Sequence, residues 1–233
     1  MKLITFAAPC MALLLAAAPT LRADTVTGEI WIVPTLSTGA VPAPGDPLYS
    51  TTPTFTFTLT NASGSVFNMN SNNGSGLTDY TVNGFLTSGG DTVTYATPAE
   101  ATAAGTTFLN TPGTCHDASP TLCATSAVGL FTGTLQAPVA AGVTVFHDDG
   151  FILTVGGVTE FSAPAKTDEE MNVLPALPAG TADIYYAEVS GAPAVLTTDL
   201  PIGAPPVPEP SSIALLGTGL LAAAGAIRRR LVK

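Results

Sequence analysis

Residues 129–157 read GLFTGTLQAPVAAGVTVFHDDGFILTVGG. Three β-branched and aromatic runs stand out, at 130–136, 143–146 and 151–155. Each is short and bounded by Gly, Pro or Asp, as strands of a sheet are. Between the last two lies His147-Asp148-Asp149-Gly150, a turn sequence with paired carboxylates. The pattern leaves no room for a helix in this stretch and predicts a sheet built from short, locally connected strands.

The same reading extends outward. Residues 25–33 (TVTGEIWIV) predict a first strand, with Trp31, the only tryptophan, as a core or edge anchor. Residues 34–53 form a Pro/Gly-rich loop. Residues 54–60 (TFTFTLT) alternate strictly, so Phe55, Phe57 and Leu59 face one way and the threonines the other. Further strands are predicted at 80–86 and 92–96, joined by Ser88-Gly89-Gly90-Asp91, and later at 182–190 and 194–198. One helix is expected at 166–174, where Thr167 and Glu170 have capping-box spacing. Asn73-Gly74 suits a type I′ turn. Asn61-Ala62-Ser63 and Asn73-Gly74-Ser75 fit the glycan-acceptor pattern, which is common by chance. Many short strands, turn signals and almost no helix predict an all-β, antiparallel β-sandwich.

The two ends differ from this body. Residues 1–23 have a basic Lys2, an apolar run and a Leu21-Arg22-Ala23 cleavage site, the pattern of a signal peptide. Asp24 then starts the mature chain, and the sandwich is assigned to 24–200. Residues 201–210 are a Pro-rich linker, expected to be extended and exposed. Residues 211–227 are uncharged and precede Arg228, Arg229 and Arg230. As a helix that run is about 25 Å long, near the thickness of a bilayer core. Residues 211–233 are therefore expected to form a single transmembrane helix with a basic tail, arginines on the cytoplasmic side.

Of the 17 acids and seven Lys or Arg in the chain, residues 24–207 hold 16 acids and one base, Lys166. Such a body lacks the side chains that neutralise phosphates, which excludes nucleic acid as a partner. Clustered carboxylates instead suit hard divalent cations. Outside the signal segment the cysteines are Cys115 and Cys123. In an oxidising compartment they are expected to form a disulfide, closing a ring that contributes about 2–3 kcal/mol. A zinc site is disfavoured there, because only His116 and Asp117 are near. No Gly-x-Ser-x-Gly, zinc or phosphate-loop motif is present, so no catalytic residue is assigned.

Two resemblances sharpen these expectations. Val207-Pro208-Glu209-Pro210, the apolar run and the Arg cluster together resemble the PEP-CTERM sorting signal of exported bacterial proteins. The same tail family is also labelled an ice-binding protein C-terminal domain, a label that concerns the tail and not the body. The resemblance implies retention at the inner membrane, cutting near the motif by an exosortase-type membrane protease, and a final place at the cell surface or outside the cell. The second resemblance is to the PA14 domain, a β-sandwich of adhesins, glycosidases and toxins. It rests on Phe131-Thr132-Gly133, PVAAGVTVF at 138–146, Asp148-Asp149-Gly150 and LTVGG at 153–157. It continues through Pro178-Ala179-Gly180, Ile184-Tyr185-Tyr186, Glu188 and GAPAVL at 191–196. Gly156-Gly157 departs from the family, which often has an acidic residue or Asn before Gly. In carbohydrate-binding members paired aspartates hold a Ca²⁺ that also contacts sugar, so the resemblance implies Asp148 and Asp149 as metal ligands, with extracellular polysaccharide as partner. A turn with no ligand is the plainer reading of the same residues, and His147 reads as a turn residue. The functional expectation is an exported, non-catalytic surface or matrix protein. A purely structural biofilm-matrix component and a secreted glycan hydrolase are the alternatives.

Overall fold

The computed structural model describes residues 24–34, 36, 39–61, 67–71, 80–109, 125–189 and 193–203. The expected signal peptide, Cys115, Cys123, the Asn73-Gly74 turn, residues 207–210, the 211–233 helix and Arg228 to Arg230 lie outside these. Among the described residues no helix is long and apolar enough to cross a membrane.

Two antiparallel sheets face each other. The larger contains β1 (Asp24–Pro34), β2 (Phe55–Asn61), β4 (Thr92–Tyr95), β5 (Thr125–Leu135), β7 (Gly150–Val155), β8 (Val158–Ala163), β10 (Gly180–Glu188) and β12 (Ile202–Gly203). Its order is β4-β2-β1-β5-β10-β7-β8, with β12 beside β5. The smaller contains β3 (Asn68–Asn70), β6 (Thr144–Asp148), β9 (Glu170–Val173) and β11 (Val195–Thr198), in the order β3-β11-β6-β9. The all-β sandwich read from the sequence is what the chain forms.

The alternating strand behaves as its pattern requires. Phe55, Phe57 and Leu59 are buried and the intervening threonines are half-buried. Phe57 lies over its cross-strand partner Gly28, where a Cβ would collide with the ring. Between the sheets, Phe131 is edge-on to Phe57 and Phe67, with centroids 6.0 and 5.7 Å away. Such aromatic contacts add about 0.5–1.5 kcal/mol per pair beyond area burial.

The larger sheet is covered on its outer face too. Trp31, Val128, Ile152, Tyr185 and Ala187 form a second apolar cluster with Leu48 and Tyr49 packed on it. The Pro/Gly loop therefore supplies a lid, through a short 3-10 turn at Pro47–Ser50 that Asp46 caps. Tyr49 stands edge-on to Trp31 at 5.5 Å and to Tyr185 at 5.0 Å. Burial on both faces explains why all six residues of β7 are buried, a run without alternation.

Three local expectations are corrected, and one helix forms that the sequence reading did not name. The strand expected at 80–86 is instead helix α1 (Val82–Thr87), with Thr81 accepting from Gly84 N–H as its cap. Val82, Phe85 and Leu86 are buried at helical spacing, a period too brief to be told from a strand over six residues. A second helix, α2 (Pro98–Ala104), also forms, with Thr97 as N-cap and proline in its first turn. The helix expected at 166–174 does not form. Thr167 Oγ1 does donate to Glu170 Oε2 at 3.3 Å, but residues 170–173 are drawn into pairing with β6. Finally, Ile202 and Gly203, read as the start of an exposed linker, are buried against Leu135 and Thr134.

Candidate functional site

The sequence places paired acids between two strands, and the fold puts those strands in different sheets. β6 pairs with β11 and β9 in the smaller sheet; β7 pairs with β10 and β8 in the larger. Asp148 ends β6, Gly150 begins β7, and Asp149 carries the chain across. The expected turn is thus a buried corner. Asp149 takes φ +44, the one positive φ among the described non-glycine residues. Asp tolerates this region better than most residues because its short side chain bonds locally. At Gly150 a Cβ would collide with the Pro164 carbonyl.

Each side chain of the corner is held. His147 is fully buried and stacks on Phe151, centroids 5.5 Å apart and planes 22° apart. Its Nε2 lies 3.0 Å from Asn172 Nδ2, and its Nδ1 lies 2.6 Å from the Asp149 carbonyl oxygen. Burial pushes its pKa down, so the ring is neutral at neutral pH. The partners fix the tautomer: Nδ1–H donates to the carbonyl, and bare Nε2 accepts from Asn172. With both nitrogens engaged, His147 is a structural member of β6 and not the turn residue that the sequence suggested.

Asp149 is fully buried and its Oδ2 accepts from Val189 N–H at 2.6 Å. Asp148 is 7% exposed, and its Oδ1 accepts from Asp149 N–H at 2.9 Å. Burial pushes the Asp148 carboxyl up to about 7, and the charges of Asp149, Asp168 and Glu169 add to the rise. Glu188 is a third buried acid, accepting from Tyr186 O–H at 3.3 Å. Tyr186 is driven well above the ordinary phenol range by burial and by Glu188, Asp149 and Asp148. The sequence reading singled out Asp148 and Asp149 and placed the acids at 168–170 in an expected helix. It did not bring Asp168, Glu169 and Glu188 to the corner, since no spacing rule links residues so far apart in the chain.

The donor set suits a hard cation: carboxylate oxygens, partly desolvated, with Lys166 the one Lys or Arg in residues 24–207. Among the described residues, however, no three His, Cys, Asp or Glu side chains converge to hold a metal ion. Asp148 and Asp149 would supply two of about six to eight oxygens for Ca²⁺, with backbone carbonyls or water completing the shell.

Comparison with known proteins yields two findings. Residues 206–230 match the PEP-CTERM protein-sorting motif. Solved structures similar to the chain include a PA14 sugar-binding domain from an RTX adhesin, at 15% identity and a TM-score of 0.45. That match covers 78% of this chain and 99% of the adhesin domain. Another is the PA14 domain of the MpAFP antifreeze protein, at 15% identity and a TM-score of 0.38, covering 74% of this chain and 79% of that one. No curated protein matches the chain. The tail motif agrees with the sorting-signal resemblance read from the residues.

Proposed function

We propose that this is an exported, non-catalytic surface or matrix protein that binds polysaccharide through a Ca²⁺ held at Asp148 and Asp149. The sorting motif at 206–230 supports export and handling by an exosortase-type membrane protease. The observation that carries the binding reading is the concentration of desolvated acids at the corner between the sheets. A bound dication offsets the charge that burial makes costly and fixes the loop oxygens that meet a sugar.

Calorimetric titration of the full chain with Ca²⁺, then with a polysaccharide panel, tests this. The expected result is Ca²⁺ binding that D148N abolishes, and glycan binding that EDTA reverses. Absence of both a heat signal and a Ca²⁺-dependent melting shift overturns it.

A purely structural matrix role is the second reading, and one observation favours it. Asp149 already satisfies Val189 N–H, and His147 satisfies Asp149 O and Asn172, so the corner is also a complete mechanical joint. Under that reading D149A unfolds the chain more easily and Ca²⁺ leaves the melting temperature unchanged.

A further inference from the structure

The Pro/Gly loop does not lie flat on the outer face of the larger sheet. Between it and strands β7 and β8 is a cleft of about 500 Å³, whose lining includes Pro44, Asp46, Ile152, Thr159, Ser162 and Pro164. That volume falls within the roughly 300–1,000 Å³ of small-molecule sites. The loop wall is held in place. Val41 N–H donates to the Pro164 carbonyl and Asp46 N–H to the Ala43 carbonyl, both at 2.9 Å. Tyr49 O–H donates to the Pro42 carbonyl at 3.0 Å. Pro42, Pro44 and Pro47 restrict the loop further. A site shaped before its ligand arrives loses little freedom on binding.

The strand wall carries a bulge. Ile152 pairs with Ser162 and Leu153 with Phe161, but Thr154 pairs with Thr159, so the register slips between Leu153 and Thr154. In a regular strand, residues three apart point to opposite faces. The slip takes up Glu160 and turns Thr159 onto the face of Ser162, so both reach the cleft. Both residues are exposed, and neither hydroxyl makes a hydrogen bond among the described residues. Asp46 commits Oδ1 to Leu48 N–H at 2.9 Å and has no ion-pair partner among the described residues. No Lys, Arg or His lines the cleft. Ile152 supplies an apolar floor.

The cleft thus offers a carboxylate without a counter-charge on one wall, two uncommitted hydroxyls on the other, and an aliphatic surface between. An anionic sugar is repelled there. A neutral sugar uses the hydroxyls and the floor but leaves the carboxylate uncompensated. A protonated amine meets it with a charge-assisted hydrogen bond, about twice as strong as a neutral one. Thr and Ser hydroxyls both donate and accept, as ring hydroxyls do. We propose that this cleft binds an amino-sugar residue of a glycan, with its ammonium on Asp46, ring hydroxyls on Thr159 and Ser162, and its C–H face on Ile152. Gly150 of the corner packs against the same Pro164 carbonyl, so the two sites are neighbours, yet they share no side chain. The cleft needs no metal and stands whether or not the corner holds Ca²⁺.

Calorimetric titration of the full chain in EDTA, in mildly acidic buffer that keeps the amine protonated, tests the proposal. The probes are a glucosamine oligomer, its N-acetylated form and a glucose oligomer of the same length. The glucosamine oligomer is expected to bind about tenfold more tightly than the other two. D46N is expected to erase that preference, and T159V to weaken the glucosamine oligomer several-fold. Asn keeps an oxygen for Leu48 N–H, so D46N leaves the turn capped. D199N, which removes an exposed acid outside the cleft, and D148N are expected to bind as the unaltered chain does. Absence of binding, or equal binding of the three oligomers, overturns the proposal. So does a loss in D199N equal to that in D46N, since the acidic body then attracts the amine at large. Loss in D148N with D46N unaffected moves the ligand to the corner and overturns this site. Should D46N melt low, T159V decides, and unchanged affinity there overturns the proposal. Failure of Ca²⁺ to bind at the corner leaves all of these results as they are, so the two readings fail separately.

Discussion

Burial at single residues sets the electrostatics of this protein. Asp148 has an ordinary carboxyl value of 3.8 when exposed and about 7 in the fold, with desolvation the leading cause. The fold therefore keeps a proton that the unfolded chain gives up. The stability contributed by that proton is complete below about pH 4 and is lost as pH rises toward 7. In metal-free buffer, the melting temperature of D148N relative to the unaltered chain is expected to climb steadily between those values. A difference that stays flat with pH contradicts it. Asn at 148 keeps an oxygen for Asp149 N–H, so the comparison isolates the charge. Sequence reading found Asp148 and Asp149 because they are adjacent. It quoted Glu188, 39 positions beyond Asp149 in the chain, without placing it at the corner, since only the pairing of β10 with β7 brings it near.

Among elements, the two helices and β9 teach the most. Thr97 and Glu100 form a capping box: Thr97 Oγ1 accepts from Glu100 N–H at 3.1 Å and donates to Glu100 Oε2 at 2.8 Å. Glu100 Oε1 also accepts from Thr56 N–H at 3.0 Å, tying α2 to the edge of β2. These bonds hold the Glu100 carboxyl below its usual range, the Thr97 bond first. T97A is expected to cost about 1 kcal/mol, read as a lower urea midpoint with an unchanged slope. Thr167 and Glu170 have the same spacing and the same side-chain contact, yet no helix follows. What differs is the partner. Residues 170–173 lie beside β6, where they complete the edge of the smaller sheet. Proline in the first turn of α2 favours helix, whereas at 170–173 pairing with a ready strand overrides local propensity.

At the scale of the whole molecule, the protein is two sheets and a covering loop. Tyr49 carries the cover, edge-on to both Trp31 and Tyr185, with its hydroxyl donating to the Pro42 carbonyl at 3.0 Å. Y49A is expected to cost about 2 kcal/mol from two lost aromatic contacts. It should also shift the emission of Trp31 to the red, which reports on this layer alone because the chain has no other tryptophan. Unaltered emission means that the loop is not what shields the ring. The sequence by itself determined the strand-rich body, the inward face of residues 55–59 and the charge balance, because two-residue periodicity, turn chemistry and composition are local properties. It also carried the sorting motif of the tail, which is a linear signal. Only the tertiary structure decided that residues 147–150 cross between sheets, that residues 170–173 pair instead of coiling, and that Asp91 is buried beside Asn61. Those outcomes depend on which distant strand arrives as a neighbour. Burial, not residue type, then turns an ordinary acid into a desolvated charge.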